Sequence, residues 1–280
     1  MEAEAHRRRP RPRKDEQEGR SLARERRRLL IAPERLAEEV LLTAAEAHYL
    51  TRVLRLTDGQ GCEVVDGAGR RWGALLEGSD RLRLEQALSQ PLQVLPPRTP
   101  PLLLAVALPR QDSELIWRMA TELGIDQLQP LQADHGVLRS GWPEQRWRTI
   151  LREATEQCER LWLPELLPLR TAVEWFTACS TGPRFLASSR GAGLPHLLHC
   201  LQTLDASALG DNPVDPVVVA IGPEGGWSTE EEVLAEAQGW IPVTAGPTIL
   251  RTSTAAVTVA AWLTGWREQV SSSADRGQSP

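Results

Sequence analysis

Apolar positions in residues 25–92 come in short runs separated by turn residues. Arg27 to Ile31, Cys62 to Val65, Trp72 to Leu76 and Leu82 to Leu84 read as strands, and Asp58-Gly59, Asp66-Gly67 and Gly78-Ser79-Asp80 supply turns. Thr43-Ala44-Ala45-Glu46 has the form of a capping box and opens a short helix. Short strands with regular turns predict a small barrel. Residues 91–101 contain five prolines, a stiff extended stretch that marks a domain boundary.

Beyond the boundary the period changes. Leu102 to Leu108 is a continuous apolar strand. Asp112 stands where it would cap a helix bearing Leu115, Ile116, Met119 and Leu123, which Gly124 ends. Leu128 to Leu131 is a strand, and Pro143 fits the first turn of a helix whose apolar face is Trp147, Ile150, Leu151, Ala154 and Leu161. Phe185 to Ala187 reads as a strand, Leu194 to Leu201 as a helix, and Val217 to Ile221 as a β-branched strand. Ser228-Thr229-Glu230-Glu231 is a second capping box, and its helix ends at Gly239. Trp240 to Thr244 is a strand and Thr254 to Trp266 a final apolar helix. Continuous apolar strands alternating with amphipathic helices predict an α/β domain over 100–268, with a mostly parallel sheet covered on both faces. Residues 269–280 read as a polar, disordered tail.

The 280 residues carry a net charge of −5, unevenly placed. Residues 1–30 hold eleven basic and six acidic groups, and the rest of the chain has a net charge of −10. Residues 1–24 therefore read as a disordered basic extension, either simply solvated or an arm for nucleic acid. The acidic body restricts any RNA site to a local basic patch. No apolar run is long enough to span a membrane and the N-terminus lacks a secretory pattern, so the expected location is cytoplasmic. The cysteines at 62, 158, 179 and 200 form no CxxC pair, and His196 and His199 have no third ligand at suitable spacing, so no metal site is expected.

The candidate chemistry lies in two turns. Ile221-Gly222-Pro223-Glu224-Gly225-Gly226 and Ala245-Gly246-Pro247-Thr248-Ile249-Leu250-Arg251 each follow a strand and open a helix. Ligands of open parallel sheets bind beyond the carboxyl ends of the strands. Glycines there let a ligand approach bare backbone. No Lys-Ser/Thr follows the glycines and their spacing is not G-x-G-x-x-G, which excludes a P-loop and a dinucleotide fingerprint. The residues alone leave the ligand unnamed.

These turns resemble those of the RsmE-type ribosomal RNA methyltransferases of the SPOUT class. The resemblance rests on Gly222-Pro223-Glu224-Gly225-Gly226 and on Gly246-Pro247-x-Ile249-Leu250-Arg251-Thr252-x-Thr254-Ala255. It extends to His48-Tyr49-Leu50-x-x-Val53-Leu54-Arg55-Leu56 with Asp58-Gly59, to Leu108-Pro109-Arg110 and to Thr121-Glu122-Leu123-Gly124. Arg146-Trp147 and Glu153-Ala154-x-x-Gln157-x-x-Arg160 complete a colinear match over residues 25–267. It implies a PUA-like RNA-binding barrel over 25–92 and a SPOUT methyltransferase domain over 100–268 with a C-terminal trefoil knot. It further implies homodimers that use S-adenosylmethionine to methylate N3 of a uridine in 16S ribosomal RNA of the small subunit. Another RNA target, such as a ribose 2′-OH, and a non-catalytic ribosome-assembly factor remain the alternatives.

On this reading Ala220, Ile221, Gly222, Gly225, Gly226, Gly246, Ile249, Leu250 and Thr252 hold the cofactor, with Thr252, Ser253 or Thr254 also available to cap the last helix. N3 of uracil is mostly protonated at neutral pH, so its proton must be removed or the developing anion stabilised. Arg251 is the candidate stabiliser, or else pairs with a carboxylate or phosphate. Glu224 is a candidate base, or a carboxylate favoured by a helix N-terminus. Arg52, Arg55, Arg110, Arg146 and Arg160 are the candidate RNA contacts, each alternatively a surface or ion-paired arginine. Trp72 or Trp147 is placed to stack on a base, with core packing the competing role for Trp147. The chain departs from the family pattern at His135-Gly136, where an Arg-Ser pair is usual, and at Thr248 and Ser253.

Overall fold

A computed structural model describes residues 27–109, 111–136, 141–179, 181–189, 193–204 and 215–277, with side chains described as far as 272. The basic extension over residues 1–24 and Arg110 lie outside the described residues.

Six strands form the N-terminal sheet: β1 (Arg28–Leu30), β2 (Glu39–Leu41), β3 (Gly61–Val65), β4 (Arg70–Glu77), β5 (Arg81–Leu84) and β6 (Gln93–Val94). Their order is β1-β3-β4-β5-β2, and β6 also pairs with β4. The alternation of β4 and β5 places Trp72, Ala74, Leu76, Leu82 and Leu84 in one core with Leu29, Ile31, Val40, Leu50, Cys62 and Val64. The Thr43–Glu46 capping box forms as expected and opens α1 (Ala44–His48), which continues into a π-helical turn over Tyr49–Val53. Two features escaped the sequence pattern. β2 is three residues long with a single buried side chain, and β6 lies within the proline-rich stretch. Pro91 and Pro96 flank β6 rather than interrupt it, so its backbone can still pair with Arg70 and Arg71.

The second sheet contains β7 (Leu102–Ala107), β8 (Gln127–Gln132), β9 (Glu165–Leu166), β10 (Arg170–Thr171), β11 (Arg184–Ala187), β12 (Val217–Ile221) and β13 (Ile241–Val243). All its pairings are parallel, in the order β10-β8-β7-β12-β11-β13 with β9 beside β8. β7 and β12 are buried at every position, because helices cover both faces. One face carries Leu102, Leu104, Val106, Val217, Val219 and Ile221. Against it pack α2 (Ser113–Leu123), α3 (Glu144–Gln157), α5 (Leu197–Gln202) and α7 (Thr252–Gly277). The other face carries Leu103, Ala105, Leu186, Val218 and Ala220 under α4 (Ala172–Ala178) and α6 (Thr229–Ala237).

Three local expectations need correction. Asp112 adopts a left-handed φ of 68° and its carboxylate makes no capping bond, although Gly124 ends α2 in the left-handed conformation as expected. α4 was not anticipated, although Thr171-x-x-Glu174 forms a complete capping box. α7 continues to Gly277, so residues 269–277 are helical rather than irregular. Buried Arg267 and core-packed Val270 anchor the far end of that helix, and extending an existing helix costs little.

The two sheets meet along α3. Leu30, Val65 and Leu161 form a small shared core. Beside it Arg152 Nη2 donates to Glu46 Oε1 at 2.7 Å and to the Leu30 carbonyl, while the Leu30 amide donates to Glu156 Oε1 at 2.8 Å. No described helix is long and apolar enough to cross a membrane.

Candidate active site

Because the second sheet is parallel, the loops following β8, β11, β12 and β13 emerge at the same edge. They surround a cavity of about 250 Å³. Its wall includes Ile221, Gly222, Pro223 and Gly226 from the first glycine turn, and the whole run from Thr244 to Leu250 together with Thr252 from the second. Side-chain bonds fix the mutual position of these loops. Thr252 Oγ1 donates to the Gly222 carbonyl at 3.0 Å, joining the second turn to the first. Trp227 Nε1 donates to the Ala187 carbonyl at 3.1 Å, joining the first turn to the end of β11. Thr244 Oγ1 donates to the Gly246 carbonyl at 2.8 Å and tightens the start of the second loop.

The β8 loop is held from below. Ser228 caps α6, its amide donating to Glu231 Oε2 at 2.9 Å and its hydroxyl accepting from the Glu231 amide. The other oxygen of the buried Glu231 accepts from the Asp134 amide at 2.9 Å, and Ser228 Oγ donates to Asp134 Oδ2 at 2.7 Å. A box that ordinarily only starts a helix here also pins the neighbouring loop and sets His135 against the first glycine turn.

Two glycines have distinct steric roles. A Cβ at Gly222 would lie 3.1 Å from the Trp227 indole, so glycine lets the ring pack over the turn. Gly246 has φ 134°, a conformation that side chains rarely permit. The wall is therefore largely backbone, with Ile221, Ile249 and Leu250 as apolar surface. Its polar groups include Ser188 and Glu232, whose side chains bond to each other at 2.9 Å. A flat heterocycle carrying hydroxyl groups matches such a lining.

Of the nine positions assigned to the cofactor, Ile221, Gly222, Gly226, Gly246, Ile249, Leu250 and Thr252 line this cavity. Ala220 does not, because strand alternation turns it into the core on the opposite face. Gly225 also lies off the wall. A Cβ there would come within 2.8 Å of His135 Cβ, so its glycine makes room for the histidine. Arg251 is exposed next to the lining residues Leu250 and Thr252, and its guanidinium has no partner among the described residues. Glu224 is exposed and does not line the cavity.

The arginines proposed for RNA divide. Arg52 and Arg55 are exposed beyond α1, and Arg55 has φ 57°, uncommon for a residue with a side chain. Arg146 is exposed in a 3.3 Å ion pair with Glu114. Arg160 belongs to the framework instead. Its Nη1 donates to the carbonyls of Thr121 and Ile125 at 2.7 and 2.8 Å, and Nη2 pairs with Asp126, closing the end of α2. That assignment is corrected by the last carbonyls at the end of α2, which the guanidinium satisfies from a largely buried position. Trp72 and Trp147 are both buried in cores and present no stacking face. Sequence reasoning missed Ser188, Thr244 and Glu232 as wall residues. Only the register of β11 and β13 and the turn of α6 bring them together.

Residues 97–264 match the model of an RNA methyltransferase domain, and residues 42–85 that of an RNA methyltransferase PUA domain. The chain is similar to the ribosomal RNA small subunit methyltransferase E of Synechocystis sp., with 38% identity over 239 residues, covering 81% of this chain and 74% of the relative. The protein of that name from Rickettsia conorii is 29% identical, covering 81% of this chain and 91% of its own. Among solved structures, a Legionella pneumophila protein in complex with S-adenosylmethionine superposes with a TM-score of 0.71 at 22% identity, covering 86% of this chain and 97% of that one. A Neisseria gonorrhoeae ribosomal RNA small subunit methyltransferase E bound to S-adenosylmethionine gives 0.66 at 24% identity, with the same coverage. The mixed α/β fold thus contains a PUA domain, and with more than half its length inside the catalytic-domain model the chain belongs to the RNA methyltransferase family.

Proposed function

We propose that the protein transfers a methyl group from S-adenosylmethionine to N3 of a uridine in 16S ribosomal RNA. The observation that carries this reading is the cavity whose wall is the two glycine turns, locked together by Thr252 and Gly222. Its residues fit the donor. Ile221, Ile249 and Leu250 would flank the adenine, the bare backbone at Gly222, Gly226 and Gly246 would allow close approach, and Glu232 with Ser188 would meet the ribose hydroxyls. When bound, the donor supplies an electrophilic methyl group on a sulfonium. Arg251, exposed beside the cavity, is a permanent cation that stabilises negative charge developing on the uracil as N3 loses its proton. Glu224, on the outer side of the first turn, is left to the rim facing the RNA. Arg52, Arg55 and Arg146 are exposed and serve as phosphate contacts, with the N-terminal sheet as the RNA-binding module.

The same reading includes a C-terminal trefoil knot. In its support, the chain leaves β13 at the sheet margin, passes the carboxyl ends of β11 and β12 and packs α7 back on β7 and β12. It also includes a homodimer, as the resemblance implies, and the cytoplasmic location expected from the sequence; light scattering on the purified protein tests the dimer. Activity is tested by incubating the protein and labelled S-adenosylmethionine with small subunits, then digesting the rRNA for mass spectrometry. The expected product is 3-methyluridine, and label on a ribose 2′-oxygen or on no nucleotide would overturn the reading.

A further inference from the structure

Methylation at N3 requires a proton acceptor, and Arg251 cannot be one, because a guanidinium stays protonated. Resting on the reading above, we propose that His135 is the catalytic base. His135 lines the cavity from the loop after β8. That loop has little freedom. The Gly136 amide donates to the Ala133 carbonyl at 2.9 Å, and Asp134 is bonded on both sides to the capping box of α6. The ring packs over Gly225, whose missing Cβ leaves the space it uses.

The ring's hydrogen bond decides its chemistry. Nδ1 lies 3.1 Å from the Gly226 carbonyl oxygen. A carbonyl only accepts, so Nδ1 carries the hydrogen, and in the neutral ring Nε2 holds the free lone pair. The first glycine turn thus sets the tautomer that a base needs. The competing groups are otherwise engaged or misplaced. Glu232, the other titratable side chain on the wall, accepts the Ser188 hydroxyl. Asp134 accepts from Ser228, Glu231 is buried and accepts two backbone amides, and Glu224 is off the wall. Imidazole also suits the task better than a carboxylate, because its ordinary proton affinity lies nearer neutrality.

The step balances. The N3–H bond breaks and its proton passes to Nε2 of His135. The electron pair left on N3 forms the N3–CH3 bond while the bond between methyl and sulfur breaks with its pair remaining on sulfur. Nε2 then releases the proton to water. Arg251 and His135 divide the work, one stabilising charge and the other taking the proton.

The test combines a tautomer measurement with kinetics on the full chain. Nitrogen-15 NMR of the histidine rings, assigned by comparison with His135→Gln, is expected to show His135 protonated at Nδ1 and bare at Nε2 in its neutral form. The opposite tautomer would overturn the proposal. His135→Gln keeps a side-chain donor for the Gly226 carbonyl. It is expected to bind S-adenosylmethionine within about twofold of wild type by calorimetry, while the single-turnover rate on small subunits falls about 100-fold. An unchanged rate, with wild type still forming 3-methyluridine, removes His135 from the chemistry and leaves the proposed function standing. Parallel losses of donor affinity and rate would make His135 a loop anchor and also overturn the proposal. If wild type itself forms no 3-methyluridine, the proposed function fails and the inference falls with it.

Discussion

Replacing Glu46 with glutamine removes one charge from the seam that joins the PUA domain to the methyltransferase domain. Glu46 is buried, and its carboxylate accepts both terminal nitrogens of Arg35 at 2.8 Å and Nη2 of Arg152 at 2.7 Å. Burial pushes its carboxyl up, but Arg35, Arg152 and Thr43 outweigh burial and hold it down at about 2, against an ordinary 4.5. At roughly 1.4 kcal/mol per pH unit, that depression is worth about 3 kcal/mol of folding stability. Because the folded-state value is the lower one, the contribution is complete above about pH 5 and is lost as pH falls toward 2. Burial pushes Glu156, across the seam, in the opposite direction. Wild type therefore has to be compared with the variant, rather than read alone. Glu46→Gln is expected to lower stability by about 3 kcal/mol at pH 7 in urea titrations followed by circular dichroism, with the gap narrowing steadily from pH 5 to pH 3. A gap that stays constant over that range would refute the assignment of the stabilisation to the Glu46 charge.

Gly246→Val forces a side chain onto a backbone with φ 134°, so the second loop must rearrange. Donor affinity by calorimetry is expected to fall at least about 100-fold with the circular dichroism spectrum unchanged, since no part of either core depends on that residue. Arg251→Ala is expected to leave donor affinity within about twofold and lower turnover by about 100-fold, the usual scale for losing one electrostatic stabiliser; near-normal turnover would exclude it from the chemistry. Arg160→Ala strands the Ile125 carbonyl, takes one of two donors from the Thr121 carbonyl and leaves Asp126 with Arg267 and the Leu102 amide, and a loss of about 1–3 kcal/mol in denaturant titrations is expected. The RNA affinity of the folded fraction should not change; a selective loss of RNA binding would return Arg160 to the interface.

Much of the α/β domain was legible because buried parallel strands write continuous apolar runs. Val217 to Ile221 is the same strand in sequence and structure, and Leu102 to Leu108 is longer by one residue. Capping boxes were equally informative at Thr43 and Ser228, and the same signature at Thr171 marks α4, which its short, mixed pattern otherwise hides. Short elements with at most one buried position, such as β2, β9 and β10, carry too little pattern to be found. At the site, glycines announced the two turns, but not which face each residue would show. Ala220 and Gly225 missed the wall for that reason, whereas Ser188 and Thr244 reached it through strand register and Glu232 through the turn of α6. Arg160 and the exposed arginines look alike in sequence. What separates them is that one stands beside the carbonyls of a helix end and the Asp126 carboxylate, and no local pattern encodes that proximity.

The proposed activity is transfer of a methyl group, from a donor held by the two glycine turns, to uridine N3. Its most direct test is mass spectrometry of 16S rRNA from small subunits lacking this modification, incubated with S-adenosylmethionine and either wild-type protein or Gly246→Val. One 3-methyluridine per subunit is expected with wild type and none above background with the variant. Unmethylated uridine with wild type, or equal product from both proteins, would contradict it.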